Sequence, residues 1–160
     1  MNNILSLRFV VHRPSNQELI FRGGEISFFT HATEDLEKVL ESISMRFDIP
    51  IEIFEKRKGD GHFGNPIEIN KARLGQAESE ALVKMIVRGF GMDDRAILAK
   101  EIDNHLDSDG TLYLRLDKQE LLLGNLILAE RDTIRIKVKL KSPRKGLELI
   151  VQGYKKLLLE

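Results

Sequence analysis

Cysteine is absent from the chain's 160 residues, which excludes disulfides, thiolate metal sites and cysteine nucleophiles. A cytoplasmic location is the resulting expectation. No apolar run approaches the roughly 18 residues of a membrane span, so no membrane association is expected. The opening MNNILSLRFVVHR is apolar but broken by Arg8. It has neither a basic start nor a small-residue cleavage site, and predicts no secretory signal. Net charge is missing too, because 25 Lys and Arg balance 25 Asp and Glu. By itself that argues against strong nonspecific attraction to nucleic acid. There is no GxxxxGK[ST] or GxGxxG loop to cradle a phosphate, and no serine in a nucleophile elbow.

What is present is a globular mixture, 42% hydrophobic and 31% charged, long enough for one domain with a real core. Its charge is unevenly spread. From Arg131 to Glu160 nine Lys and Arg face three acids, while Asp93 to Asp109 holds six acids against Arg95 and Lys100. A neutral chain can therefore carry one strongly basic side.

Residues 4–11 and 18–22 read as short strands around the turn signal Arg13-Pro14-Ser15-Asn16, with Gly23-Gly24 separating them from the next element. Ile26 to His31 reads as a strand. Thr33 is the expected cap of a helix carrying Leu36, Val39, Leu40, Ile43 and Phe47 at helical spacing. Ile51 and Ile53 suggest a strand running into the cluster Glu55-Lys56-Arg57-Lys58, and Ile67, Ile69 and Ala72 suggest another. Gln76 to Phe90 reads as a helix with Leu82, Met85, Ile86 and Phe90 inward. Asp93 to Leu106 reads as a second, with Ala96, Ile97 and Ile102 inward.

Leu112, Leu114 and Leu116 alternate with Tyr113 and Arg115, and Ile134, Ile136, Val138 and Leu140 alternate with Arg135, Lys137, Lys139 and Lys141. Such alternation predicts strands with one buried and one exposed face. Ser142-Pro143 would open a last helix, with Leu147, Ile150, Val151, Tyr154 and Leu158 inward. Strands and helices mix without a sustained βαβ rhythm. The predicted fold class is therefore α+β, a twisted mixed or antiparallel sheet with helices mainly on one face.

The stretch Gly59-Asp-Gly-His-Phe-Gly-Asn-Pro66 holds more turn-forming residues than a turn requires. Gly61 and Gly64 would let the backbone turn tightly, and Pro66 would start a strand where no ladder donor is needed. His62 and Asn65 would then be presented on a rigid loop. His31 and His62 lack the spacing of a metal pair, and two ligands seldom suffice. For each the plain alternative is a hydrogen-bonded histidine at a strand end or loop. Asp107-Ser-Asp-Gly110 fails as a calcium loop, because His105 and Leu116 fall where acids are required.

The basic strand from Arg135 to Lys141 projects its cations from one face about 7 Å apart, an interval comparable to that of successive phosphates. Tyr113 and Arg115 beside it offer surfaces on which bases can stack. A solvated face whose lysines discourage edge aggregation is the other reading. Composition leaves both open.

Four ordered motifs carry a resemblance. They are His31-Ala-Thr-Glu-Asp35, Gly61-His-Phe-Gly-Asn-Pro-Ile67, Asp109-Gly-Thr-Leu-Tyr-Leu-Arg-Leu-Asp-Lys-Gln119 and Asp132-Thr-Ile-Arg-Ile-Lys-Val138. Over residues 25–141 the chain resembles an archaeal family of predicted RNA-binding proteins, described as exosome-associated. That family's fold is similar to the ribosomal large-subunit protein that binds 5S rRNA. The chain departs from the family pattern at Phe63, where a second histidine is usual, and this counts against a two-histidine mechanism.

The resemblance implies a non-catalytic RNA-binding protein, an accessory of RNA processing or degradation, with RNA and exosome proteins as partners and no cofactor or metal. The expected RNA-binding residues are Tyr113, Arg115, Lys118, Arg135, Lys137, Lys139 and His62. Gly61, Gly64, Asn65 and Pro66 form the structural loop. The expected organisation is a single domain, 1–160. It comprises a hairpin-like extension at 1–24, an RNA-binding core at 25–141 and a C-terminal helix at 142–160. A homodimer stays open. The competing classes are an enzyme acting on RNA through His31 or His62, and an interaction subunit docking through the acidic helix 93–109.

Overall fold

The computed structural model describes residues 18–141 and 146–160. The expected strand at 4–11 and the Ser142-Pro143 helix start lie outside them. In chain order the elements are β1 (Phe21–His31), α1 (Leu36–Phe47), β2 (Glu55–Asp60), β3 (Pro66–Leu74), α2 (Gln76–Gly89) and α3 (Met92–Lys100). There follow β4 (Leu112–Asp117), α4 (Lys118–Leu122), β5 (Thr133–Leu140) and α5 (Leu147–Leu159). The five strands make one antiparallel sheet in the order β2-β3-β1-β5-β4. The fold is α+β.

Alternation sorts the sheet into two faces. Ile26 and Phe28 of β1, Ala72 and Leu74 of β3, Leu112, Leu114 and Leu116 of β4, and Ile134, Ile136 and Val138 of β5 are all buried. They pack with Leu40, Ile43, Leu82, Ile86, Ile150 and Tyr154 of the helices into one core. Each such side chain contributes roughly 1.5–3 kcal/mol by leaving water. The opposite face carries the intervening residues and receives no described helix.

Several elements differ from the sequence expectation, each for a local reason. Gly23-Gly24 does not separate two strands. β1 runs through it with a register irregularity between Phe21 and Gly23, so a strand crosses the expected boundary at residue 24. A Cβ at Gly24 would stand 2.9 Å from the Lys137 carbonyl oxygen and 2.9 Å from Ser79 Oγ of α2. The glycine is therefore where the helix presses onto the sheet.

Ile51–Ile53 forms a 3-10 turn, closed by Phe54 N–H donating to the Ile51 carbonyl, and the strand falls on the charged cluster instead. β2 shows no alternation because every one of its charged residues is exposed, and pairing with β3 alone holds it extended. The cap of α1 is Asp35, not Thr33, and its carboxylate accepts from Lys38 N–H at 3.3 Å. α3 stops at Lys100 and gives way to a 3-10 turn at Ile102–His105. Leu98 and Ala99 of α3 and Ile102 of the turn are buried, whereas Ala96 and Ile97 are exposed. The acidic segment is thus broken rather than one docking helix. Leu147 is also exposed, at the first turn of α5.

Glycine substitutions distinguish close approach from backbone conformation. Gly64 has φ +75° with open space around its Cβ position, so Gly64→Ala should cost about 1 kcal/mol from the left-handed conformation alone. Gly24→Ala should cost about 2 kcal/mol or more, because a helix or a strand must give way. Urea denaturation of the two variants checks the order; equal losses would contradict it.

Candidate nucleic-acid interface

The face of the sheet opposite the core collects the expected cations. Arg135, Lys137 and Lys139 project from β5, and Tyr113 and Arg115 from β4, with Tyr113 directly opposite Lys137 and Arg115 directly opposite Arg135. Tyr113 is 42% exposed. Its ring lies under the Lys137 ammonium, 5.4 Å from the centroid, in cation–π range. Its hydroxyl donates to Asp107 Oδ2 at 3.1 Å.

Asp107 Oδ1 accepts the N–H groups of Asp109 and Thr111 at 3.0 and 2.8 Å. Burial opposes ionisation of Asp107, but these hydrogen bonds and the Tyr113 hydroxyl outweigh it and hold its carboxyl below the ordinary value. The Asp107–Gly110 turn therefore fixes the orientation of the tyrosine ring.

Residues outside the sequence expectation extend this face. Phe29 of β1 stands beside Arg135, whose guanidinium carbon is 5.0 Å above the ring centroid. Lys71 and Arg73 of β3 and Arg57 of β2 follow by register, with Ser27 opposite both Lys71 and Arg135. Acids temper some of these charges. Glu25 pairs with Lys71 at 3.1 Å, Glu130 with Arg115 at 3.7 Å and Glu55 with Arg57 at 4.0 Å. Arg135, Lys137 and Lys139 form no ion pair among the described residues.

The β2–β3 hairpin closes one end of the face. Gly61 N–H donates to the Asn65 carbonyl at 2.7 Å and Gly64 N–H to the Gly61 carbonyl at 2.9 Å. Pro66 begins β3 opposite Asp60. Asn65 thus holds the loop through its backbone oxygen, while its side chain is exposed. His62 is exposed as well, its ring edge-on to Phe63 with centroids 5.0 Å apart. His62 and His31 line one cleft of about 480 Å³ with Phe29, Arg135 and Asp132.

Lys118 requires a correction. Expected at the border of the exposed face, it is 1% exposed. It is the first residue of α4, where the chain has left β4, and its side chain is buried there. The ammonium donates to the Phe29 carbonyl at 2.8 Å and meets Glu34 Oε1 at 2.7 Å and Asp132 Oδ1 at 2.6 Å. All three of its donors are used, and none is left for a phosphate. Burial raises the Asp132 carboxyl, but hydrogen bonds from Lys118 and Gln119 and the charges of Lys118 and His31 prevail, holding it below its ordinary 3.8.

An open basic sheet face with aromatic rings is a surface suited to nucleic acid. Comparison with known proteins agrees. Residues 25–140 match the model of a family described as RNA binding, and the chain belongs to that family. A Pyrococcus abyssi protein named as RNA-binding is 32% identical over 142 residues, 83% of this chain and 90% of that protein. An uncharacterised Methanocaldococcus jannaschii protein is 35% identical over 117 residues, 69% of this chain and 77% of its own length. Among solved structures, a DUF54 protein from Methanothermobacter thermautotrophicus is 26% identical with a TM-score of 0.73, covering 86% of this chain and 98% of its own. A further DUF54 protein, from Archaeoglobus fulgidus, is 28% identical with a TM-score of 0.72, covering 86% and 99%.

The buried ammonium sets two expectations for stability. Lys118→Ala should lose about 3 kcal/mol, because it strands carboxylates and removes a packed stem. Asp132→Asn should lose about 1 kcal/mol at neutral pH, since Asp132 is partly exposed and its charge screened. A depressed carboxyl stabilises above its ordinary value, and that contribution disappears as pH falls through the folded value. The gap between wild type and Asp132→Asn should therefore close in acid, below about pH 4. Urea titrations from neutral to acid pH measure it; a constant gap would contradict the assignment.

Proposed function

We propose that this protein binds RNA without catalysing a reaction, through the sheet face carrying Tyr113, Arg115, Arg135, Lys137 and Lys139. The Arg115–Arg135 pair carries the reading. Like charges directly opposite each other on neighbouring strands destabilise a sheet, and here two arginines occupy that register, with the Arg135 guanidinium turned over Phe29. Glu130, which is 92% exposed, offers Arg115 only a loose partner at 3.7 Å. A phosphate between the two guanidiniums would relieve the repulsion and accept forked hydrogen bonds from both.

His62 and His31 border the face at the cleft next to Arg135. Their place there supports contact with RNA, while the Gly61–Asn65 loop serves as scaffold. A role as an accessory of RNA processing or degradation, associated with the exosome, is supported by the sequence resemblance over residues 25–141. The likeness to the 5S-rRNA-binding ribosomal protein rests on that same resemblance.

Phosphate contacts make affinity depend on salt, with a logarithmic slope of about −0.7 per contacted phosphate on single strands. Replacing Lys137 and Lys139 by Glu should abolish binding while leaving the melting temperature nearly unchanged, since neither belongs to the core. RNA titrations at several salt concentrations check both points, and affinity indifferent to salt would sink the proposal. Incubation of labelled RNA with added divalent metals tests the enzymatic alternative. Cleavage lost in His62→Ala but kept in Lys137→Ala would establish catalysis instead.

A further inference from the structure

Phe29 and Tyr113 share the open face but lie at opposite corners of its basic patch. Phe29 is two residues beyond Ser27, which pairs with Arg135, so it is level with Thr133 on β5. Tyr113 pairs with Lys137, four residues further along the same strand. Two strand spacings across and four residues along put the Cα atoms of Phe29 and Tyr113 about 16 Å apart on a diagonal. Arg135, Arg115 and Lys137 fill the ground between them.

The Phe29 backbone and the Tyr113 ring are each tied down by a hydrogen bond. The Phe29 carbonyl accepts from buried Lys118 at 2.8 Å, and the Tyr113 hydroxyl is bonded to Asp107 at 3.1 Å. Each also has one cation over its ring, Arg135 at 5.0 Å and Lys137 at 5.4 Å. Cations paired only with a ring can turn to a phosphate when a base takes their place on the ring.

We infer that the ligand of this face is single-stranded RNA, laid diagonally from the His31–His62 cleft to Asp107, with one base stacked on Phe29 and another on Tyr113. The inference rests on the RNA-binding reading above and adds the strandedness and the two stacking positions. Bases in a duplex are already stacked on one another and cannot reach either ring, whereas unpaired bases are free to lie on aromatic side chains. The path between the rings is cationic, so the backbone of the same strand can cross it. Sequence preference would then be weak, since every base has a face to stack.

The test uses the full chain with a short single-stranded oligoribonucleotide carrying 2-aminopurine, and with a blunt RNA duplex of equal length. Wild type should bind the single strand at least tenfold more tightly, with 2-aminopurine fluorescence quenched on binding. Phe29→Leu and Tyr113→Leu should each weaken single-strand binding by about tenfold and reduce the quench. Their salt slope should match wild type, because no charge is removed. Lys137→Ala should instead flatten the slope.

Equal binding of duplex and single strand, with both leucine variants unaffected and Lys137→Ala impaired, would overturn the stacking inference and leave RNA binding standing. Binding of neither RNA would overturn both. Phe29 is half-buried, so circular dichroism melts of Phe29→Leu accompany the titrations. Should that variant fail to fold, exposed Tyr113→Leu and the quench with wild type decide the matter alone.

Discussion

The buried ammonium of Lys118 is the contact on which the geometry of the open face depends. It joins two stretches of chain that are distant in sequence: the end of β1 at Phe29 with Glu34 ahead of α1, and Asp132 ahead of β5. Stripping an ammonium of water is costly, and only near-complete hydrogen bonding offsets it. Lys118 achieves this with three acceptors, and Glu34 uses its other oxygen to accept from His31 N–H at 2.7 Å. Phe29, His31 and Arg135 project from the segments so joined. Their relative positions are set by a charge they never expose.

Above that layer, the exposed charges of β4 and β5 are not arranged to satisfy one another. Arg115 and Arg135 oppose each other across β4 and β5, and Lys137 and Lys139 make no ion pair among the described residues. Zero net charge does not contradict this. Screening confines charge effects to about 8–10 Å at moderate salt, so a strand lying on β5 meets the local cations. The acids of Met92–Lys100 belong to another element and do not pair with β5. Charge separation within a neutral chain gives attraction at one face without making the whole surface adhesive.

What the sequence disclosed came from periodicity. β4 and β5 alternate cleanly between apolar and polar residues, so their two faces, and with them Tyr113, Arg115, Arg135, Lys137 and Lys139, are legible in the order of residues alone. β1 does not alternate. Ile26, Phe28 and Phe29 are all apolar, which hides the fact that Phe29 faces away from the core. β2 is charged at every residue but Gly59 and takes its extended form from β3, a pairing without a local signature. The family match at residues 25–140 falls almost where the motifs placed it.

Lys118 shows how far periodicity reaches and where habit misleads. A lysine next to a basic face reads as one more surface cation, and lysines are rarely buried unless paired. The alternation of β4 ends at Asp117, and Lys118 opens α4 one residue further on, so the strand pattern does not reach it. The acceptors that permit burial lie as far as 89 residues away in sequence, so nothing near Lys118 announces them. Lys137 has the same chemistry but sits within β5, a strand whose inward side is already filled by Ile136 and Val138. Side-chain type is equal in the two cases. What divides the buried ammonium from the one on the open face is where the chain places each and how many of its donors are already satisfied: all three on Lys118, and on Lys137 no ion pair among the described residues, with an aromatic ring beneath its ammonium.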